Sequence, residues 1–328
     1  MQQLFTLSSR QQRTARDRED DLPAIVDDLV TWKALARRET RIHVKGTGIW
    51  IIGVLLVAFH SLSYSSVSSQ VSNVLGADTA VLSLQVSFAN ALLIGGLLLG
   101  HTAITDERTT GVIKLTASIP HSRPDIVVGK LIGLTIPLVA IAVLSLAVAA
   151  DVAVVTQGVP SLIRLVAFGL VSAVYALVCA GLGILISSTA TTTVRAAGAM
   201  VLSFVVVIGW KTLVTRVYAI ATGARINMLD PPADGVLFLA RRLDPRSAYF
   251  LLTNWVYGIG NAADVYPPVV SKLHSGPNTT DISPVFVVET SFEHPPRYLT
   301  EPTGVVVVIA WVVLSIGIAV YVFRNADL

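Results

Sequence analysis

The chain has 328 residues, 53% of them hydrophobic and only 14% charged, with a formal net charge of +3 and a mean hydropathy of +0.69. That balance is too apolar for a soluble domain of this length and predicts an all-α integral membrane protein. A single cysteine excludes a disulfide framework and a thiolate metal site, and the small net charge gives no reason to expect a nucleic-acid partner.

Residues 1–23 mix Arg, Gln, Asp and Glu with few large apolar side chains, which predicts a disordered cytoplasmic tail. No apolar core follows its arginines directly, so it does not read as a signal peptide. Within 24–45, Ile25, Leu29, Trp32, Leu35 and Ala36 recur at helical spacing, while Lys33, Arg37, Arg38 and Arg41 supply a basic side. This is expected to be an amphipathic interfacial helix lying on the membrane ahead of the first span.

Six apolar runs follow, over about 47–64, 81–104, 131–150, 165–188, 196–214 and 304–323. Each is near the roughly 20 residues that a helix needs to cross about 30 Å of hydrocarbon. A Ser-rich outer loop separates the first two, and a tight turn at Gly158, Val159 and Pro160 follows the third. Gly96 and Gly100, four apart in the second run, would let another helix approach closely. Lys211 sits near the outer end of the fifth, where snorkelling explains it.

Between the second and third runs lies the polar segment 105–130. Its opening acidic residues with Arg108 and Lys114 behind them have the charge order of a short helix. Pro120 stops that helix, and Ser122 is a candidate cap for the next, which runs through Lys130 into the membrane. Lys33, Arg37, Arg38, Arg41 and Lys45, then Arg108, Lys114, Arg123 and Lys130, then Arg195 and Arg324 all fall on one side. The short loops opposite, 65–80 and 157–161, contain no Lys or Arg, and Arg164 is a lone exception. Positive-inside therefore places both termini in the cytoplasm.

That leaves 216–303 as a long extracytoplasmic segment before the last span, with 304–328 as that span and a short cytoplasmic end. Asp244 followed by Pro245 is a helix start, and Tyr249, Leu252, Trp255 and Val256 give it an aromatic-rich apolar face until Gly258 and Gly260. This helix is expected to lie at the outer leaflet or to dip into it. Residues 285–288 suggest a short strand, and Asn278-Thr279-Thr280 is a candidate N-glycosylation sequon.

Catalytic chemistry finds no foothold. The chain lacks a phosphate-binding Gly-rich loop, a His-Glu zinc helix and a Cys pair, so no catalytic residue, bound cofactor or metal site is expected in it. His60, His101, His121 and His274 are scattered. Asp151 and Lys211 together offer a possible intramembrane proton-coupling pair, the one feature favouring an ion-gradient-driven secondary transporter or other polytopic membrane protein. Clustered His, Asp or Glu on facing runs, which an intramembrane hydrolase would need, are not seen.

The run Asp106, Glu107, Arg108, Thr109, Thr110, Gly111, Val112, Ile113, Lys114, Leu115, followed by Ser118, Ile119, Pro120, Ser122, Arg123, Asp125, Gly129 and Lys130, resembles the segment between the second and third spans of ABC-2-type transporter permeases. The similarity extends to the helix before the first span, the six spans and a helical segment before the last. It departs in the N-terminal tail and in the length of the outer segment. The resemblance implies a cell-membrane permease subunit with an export bias, driven by a separate soluble ABC ATPase subunit that binds ATP and Mg2+. It also implies pairing with a second permease copy or a homologue. In that case segment 105–130, residues 46–215 being its five-span setting, couples to the ATPase. Glu107, Arg108, Lys114, Arg123 and Asp125 would make its polar contacts, Gly111 would allow close approach, and Pro120 would set the angle of the next helix.

Overall fold

A computed structural model describes residues 32–111, 123–223, 225–227, 229–274 and 285–325. The expected tail 1–23, the first turns of the interfacial helix, Lys114, Pro120, His121, Ser122 and Asn278 lie outside these residues. Among the described residues the architecture is all-helical, with no strand. Six helices are long and apolar enough to cross a membrane, and we describe this as a multi-pass membrane protein.

Helix α1 (Trp32–Lys45) precedes the spans and breaks at Gly46, where α2 (Thr47–Ser65), the first span, begins. The expected Ser-rich loop is largely helical: Ser68 accepts a hydrogen bond from the Val71 amide and caps α3 (Ser69–Leu75). A 3-10 turn at Gly76–Asp78 leads through α4 (Thr79–Leu82) into α5 (Leu84–Gly100), the second span, and on to the short α6 (Thr105–Thr109). The third span, α7 (Arg123–Thr156), is one helix that continues through Lys130 without a break and carries Pro137 inside it. The fourth and fifth are α8 (Leu162–Thr189) and α9 (Thr193–Thr222); the sixth is α14 (Thr303–Arg324).

Small residues decide which spans touch. A Cβ on Gly100 would lie 2.8 Å from the Gly183 Cα and 3.2 Å from the Ile184 amide nitrogen, and one on Gly96 would collide with the backbone of Cys179. The second and fourth spans therefore meet backbone to backbone, as the Gly96–Gly100 spacing predicts. The second span is largely enclosed; the first and fifth are mostly exposed.

Between the fifth and sixth spans the chain forms α10 (Gly235–Arg242), α11 (Pro245–Tyr257), α12 (Tyr266–His274) and α13 (Val288–Ser291). The start of α11 follows the local chemistry: Asp244 accepts from the Ser247 amide, Pro245 occupies the first turn, and Gly258 closes the helix with φ 64°. Its surroundings are protein rather than open surface. All eight residues from Ser247 to Asn254 are buried, with Tyr249 stacked on Tyr175 of α8 at 4.5 Å and hydrogen-bonded to Ser172. An aromatic-rich face serves a protein neighbour as well as it serves lipid, and here the neighbours are spans. Gln85, buried in α5, donates to Thr253 and Asn254 and accepts from the Tyr266 amide, tying the same helix to the second span. The strand expected at 285–288 is reduced to one antiparallel bridge, Ala262 to Val287, because Val288 already begins α13.

Candidate functional site at the elbow

The elbow begins where α5 ends. Ser187 of α8 accepts hydrogen bonds from the Ile104 and Thr105 amides at 2.8 and 2.9 Å, and the Thr105 hydroxyl donates to the Ser187 carbonyl at 2.8 Å. One serine thus supplies, from a different span, the acceptor that the start of a helix lacks. Arg108 donates to the Ala190 carbonyl at 3.4 Å, on the same side of α6. The short helix is held against the end of the fourth span before any charge is considered.

A buried ion cluster then fixes it to two further elements. Lys130, 2% exposed, donates to Glu107 of α6 at 2.8 Å and to Glu39 of α1 at 3.1 Å. Arg38 approaches Glu107 at 4.0 Å from the rim, and His43 lies 3.9 Å from the other Glu39 oxygen. Burial lowers the His43 pKa, the Glu39 charge opposing that shift.

Packing brings Glu39 within reach. A Cβ on Gly129 would press on the Trp32 carbonyl and on Leu35 at 2.9–3.0 Å, and one on Gly133 would meet the Ala36 carbonyl at 2.8 Å. These glycines, one helical turn apart, form the groove in which α1 lies. Pro137 deprives the Gly133 carbonyl of its helical N–H partner, and the Thr40 hydroxyl of α1 donates to that carbonyl at 3.2 Å. So α1 is joined to the third span by a glycine groove, a hydrogen bond at the proline site and a buried ion pair, rather than only lying on a membrane surface.

The sequence-predicted residues fall out unevenly. Glu107 and Arg108 are at the centre of the elbow, but Glu107 already has an internal partner in Lys130. Gly111 adopts φ 76°, which the turn requires of a glycine, and a Cβ at that position would meet no described atom within 4 Å, so no part of the described chain covers it. Asp125 lies in the first turn of the third span and Arg123 begins it. The parts played by Glu39, Thr40, Lys130 and Ser187 escape a reading of the sequence alone; the Gly129–Gly133 spacing ahead of Pro137 is the available signal.

The far end of the bundle holds a second cluster. Lys211 pairs with Asp264 at 2.7 Å and also donates to the Ala263 carbonyl, which overturns the suggested pairing with Asp151; Asp151 is exposed. Arg241 donates to Thr215 at 2.6 Å and lies over the Phe286 ring at 3.8 Å. Arg242 donates to the Leu299 and Asn261 carbonyls, and burial pulls its pKa down to about 10. Burial alone would raise the Asp264 pKa, but Lys211 and Arg241 hold it below the ordinary carboxylate value. Three of the scattered histidines make ordinary contacts: His60 with Ser83, His101 and His274 with nearby carbonyls. No cluster of three or more His, Cys, Asp or Glu that could hold a metal occurs among the described residues.

Compared with known proteins, the chain matches the family model described as ABC-2 family transporter protein over residues 33–328. The comparison with curated proteins gives no match.

Proposed function

The chain belongs to the ABC-2 transporter family and is a permease subunit of an ABC transporter, and from that premise we propose that the elbow is where a separate ATPase subunit drives it. ATP and Mg2+ are held by that partner, the permease pairs with a second copy or a homologue in the cell membrane, and transport runs outward.

The observation that carries this reading is that α6 follows the second span along the chain, touches the end of the fourth span through Ser187, and touches the third span and α1 through Lys130. A push on the five residues of α6 is thereby delivered to four membrane-proximal elements as a rigid-body tilt. Arg108 lies in the path of the push: its Nη1 donates to the Ala190 carbonyl, while its Nε and Nη2 are buried with no hydrogen-bond partner among the described residues, so a carboxylate of the ATPase would reach that edge only once α6 has moved. Glu107 acts differently in this account, as the internal strut that passes movement of α6 to Lys130.

The test is co-expression with a Walker-type ATPase encoded beside this chain. Arg108→Glu is expected to abolish co-purification or the stimulation of ATP hydrolysis, whereas Glu107→Gln is expected to leave assembly intact and uncouple stimulation. Unchanged assembly and stimulation in Arg108→Glu would remove the elbow from the docking surface.

A further inference from the structure

The underside of α1 is committed to the third span, through Leu35, Ala36 and Glu39. Its other side has an unusual regularity. Lys33, Arg37, Arg41 and Lys45 follow one another at intervals of four, and all four are exposed. At 3.6 residues per turn such a row drifts slowly, covering about 120° of the helix surface. None of the four takes part in an ion pair among the described residues; Lys33 alone has a ring neighbour, Trp32, at 6.0 Å. Each i,i+4 step sets like charges side by side, an arrangement that costs stability in an isolated helix and favours a shared anionic partner.

Depth identifies that partner. Helix α1 touches the third span at Gly129, Lys130 and Gly133, where that span passes from charged residues into an unbroken apolar run. Its C-terminal end is one residue from the first span, and Trp50 on the first turns of that span is 67% exposed. Ile42 and Val44, 49% and 48% exposed, flank the basic row. Cations beside exposed apolar side chains, at the level where spans enter hydrocarbon, face headgroups and the upper acyl chains together.

We propose that Lys33, Arg37, Arg41 and Lys45 form a binding row for the phosphate groups of anionic phospholipids. Through the Glu39–Lys130 pair and the Thr40 hydrogen bond, lipid held on this row anchors the brace against which the elbow moves. The row thereby links membrane charge to the elbow.

The full chain, reconstituted in nanodiscs of phosphatidylcholine with or without phosphatidylglycerol, provides the test, with retained lipids identified by native mass spectrometry. Wild type is expected to retain phosphatidylglycerol over phosphatidylcholine, and the preference is expected to fall as salt rises. The variant Lys33→Gln/Arg37→Gln/Arg41→Gln/Lys45→Gln is expected to lose roughly tenfold or more of that preference. A charge-keeping exchange, Lys33→Arg/Arg37→Lys/Arg41→Lys/Lys45→Arg, is expected to keep it, and separates loss of charge from loss of folding. No preference in wild type, an unchanged preference in the Gln variant, or equal loss in both variants would overturn the proposal. So would a Gln variant that keeps its lipid but no longer co-purifies with the ATPase, since the row would then be a protein-docking surface. The nanodiscs contain no ATPase, so failure here leaves the elbow reading untouched.

Discussion

Two buried charge clusters lie at opposite ends of the bundle, and they are composed in opposite ways. At the elbow one lysine serves two carboxylates, and beside it Glu107 Oε2 and Arg108 Nε and Nη2 are buried without a hydrogen-bond partner among the described residues. At the far end one carboxylate serves two cations: Asp264 Oδ1 accepts from Lys211, with Arg241 at 3.9 Å, and Oδ2 accepts from the Phe286 amide. A buried polar atom left unpaired costs about 1–3 kcal/mol. Asp244 Oδ2, Arg246 Nε and Asn261 Oδ1 are likewise buried without a hydrogen-bond partner among the described residues at the far end, so the two clusters differ in which sign of charge is shared and not in how fully their polar atoms are paired.

The sharpest way to break this contrast is to remove the elbow lysine. Lys130→Met leaves Glu39 and Glu107 buried and facing each other, and breaking such a cluster costs about 3–5 kcal/mol. Thermal unfolding in detergent should show a large loss, much of it recovered in Lys130→Met/Glu39→Gln/Glu107→Gln, which removes the stranded charges. Equal melting of the single variant and wild type would mean that the lysine does not hold these carboxylates together.

At the far end Lys211→Met should cost less, roughly 2–3 kcal/mol, because Arg241 remains near Asp264 and both partners of the lost pair are partly solvated. Unlike the elbow variant, it should leave ATPase stimulation per folded molecule unchanged. Lost stimulation in folded Lys211→Met would erase the distinction between the two ends.

Acid should find the far cluster in a predictable direction. The folded Asp264 pKa lies below its unfolded value, so its contribution is complete above the ordinary carboxylate value of about 3.9 and disappears as pH falls through the lowered folded value. Melting from neutral pH downward should therefore show a drop in wild type that is shallower in Asp264→Asn. Parallel curves would show that this carboxylate does not carry the linkage.

The smallest effects belong to the exposed fifth span. A Cβ on Gly198 or Gly209 meets no described atom within 4 Å, so Gly198→Ala and Gly209→Ala should cost nothing in packing and, by helix propensity, stabilise by no more than about 1 kcal/mol. Light scattering on the same variants adds a sharper reading: a change from dimer to monomer without loss of folding would place the second copy on this face.

The six spans were legible because long uncharged runs have few other ways to exist in a protein. The start of α11 was legible too, since Asp244 and Pro245 act on their immediate neighbours. What α11 packs against was not, because its apolar face suits lipid and protein alike. Both clusters escaped for a related reason: Lys130 is 91 residues from Glu39 and Lys211 is 53 from Asp264, distances that only packing closes. The groove that brings Glu39 to Lys130 depends on two glycines and a proline within a run that reads simply as apolar. The elbow residues Glu107 and Arg108 were visible as a charged segment, but nothing local distinguishes a charge facing a partner from one facing Lys130.

Thr110 is exposed on the elbow, Tyr298 is 47% exposed in the segment before the last span, and the one native cysteine, Cys179, is buried. Membrane-impermeant maleimide labelling of Thr110→Cys and Tyr298→Cys in sealed vesicles of known orientation therefore tests the central claim most directly. The account predicts labelling of Thr110→Cys only from the cytoplasmic side, with protection when the ATPase is added, and of Tyr298→Cys only from the other. Labelling of both from one side, or an elbow cysteine indifferent to the ATPase, would contradict it.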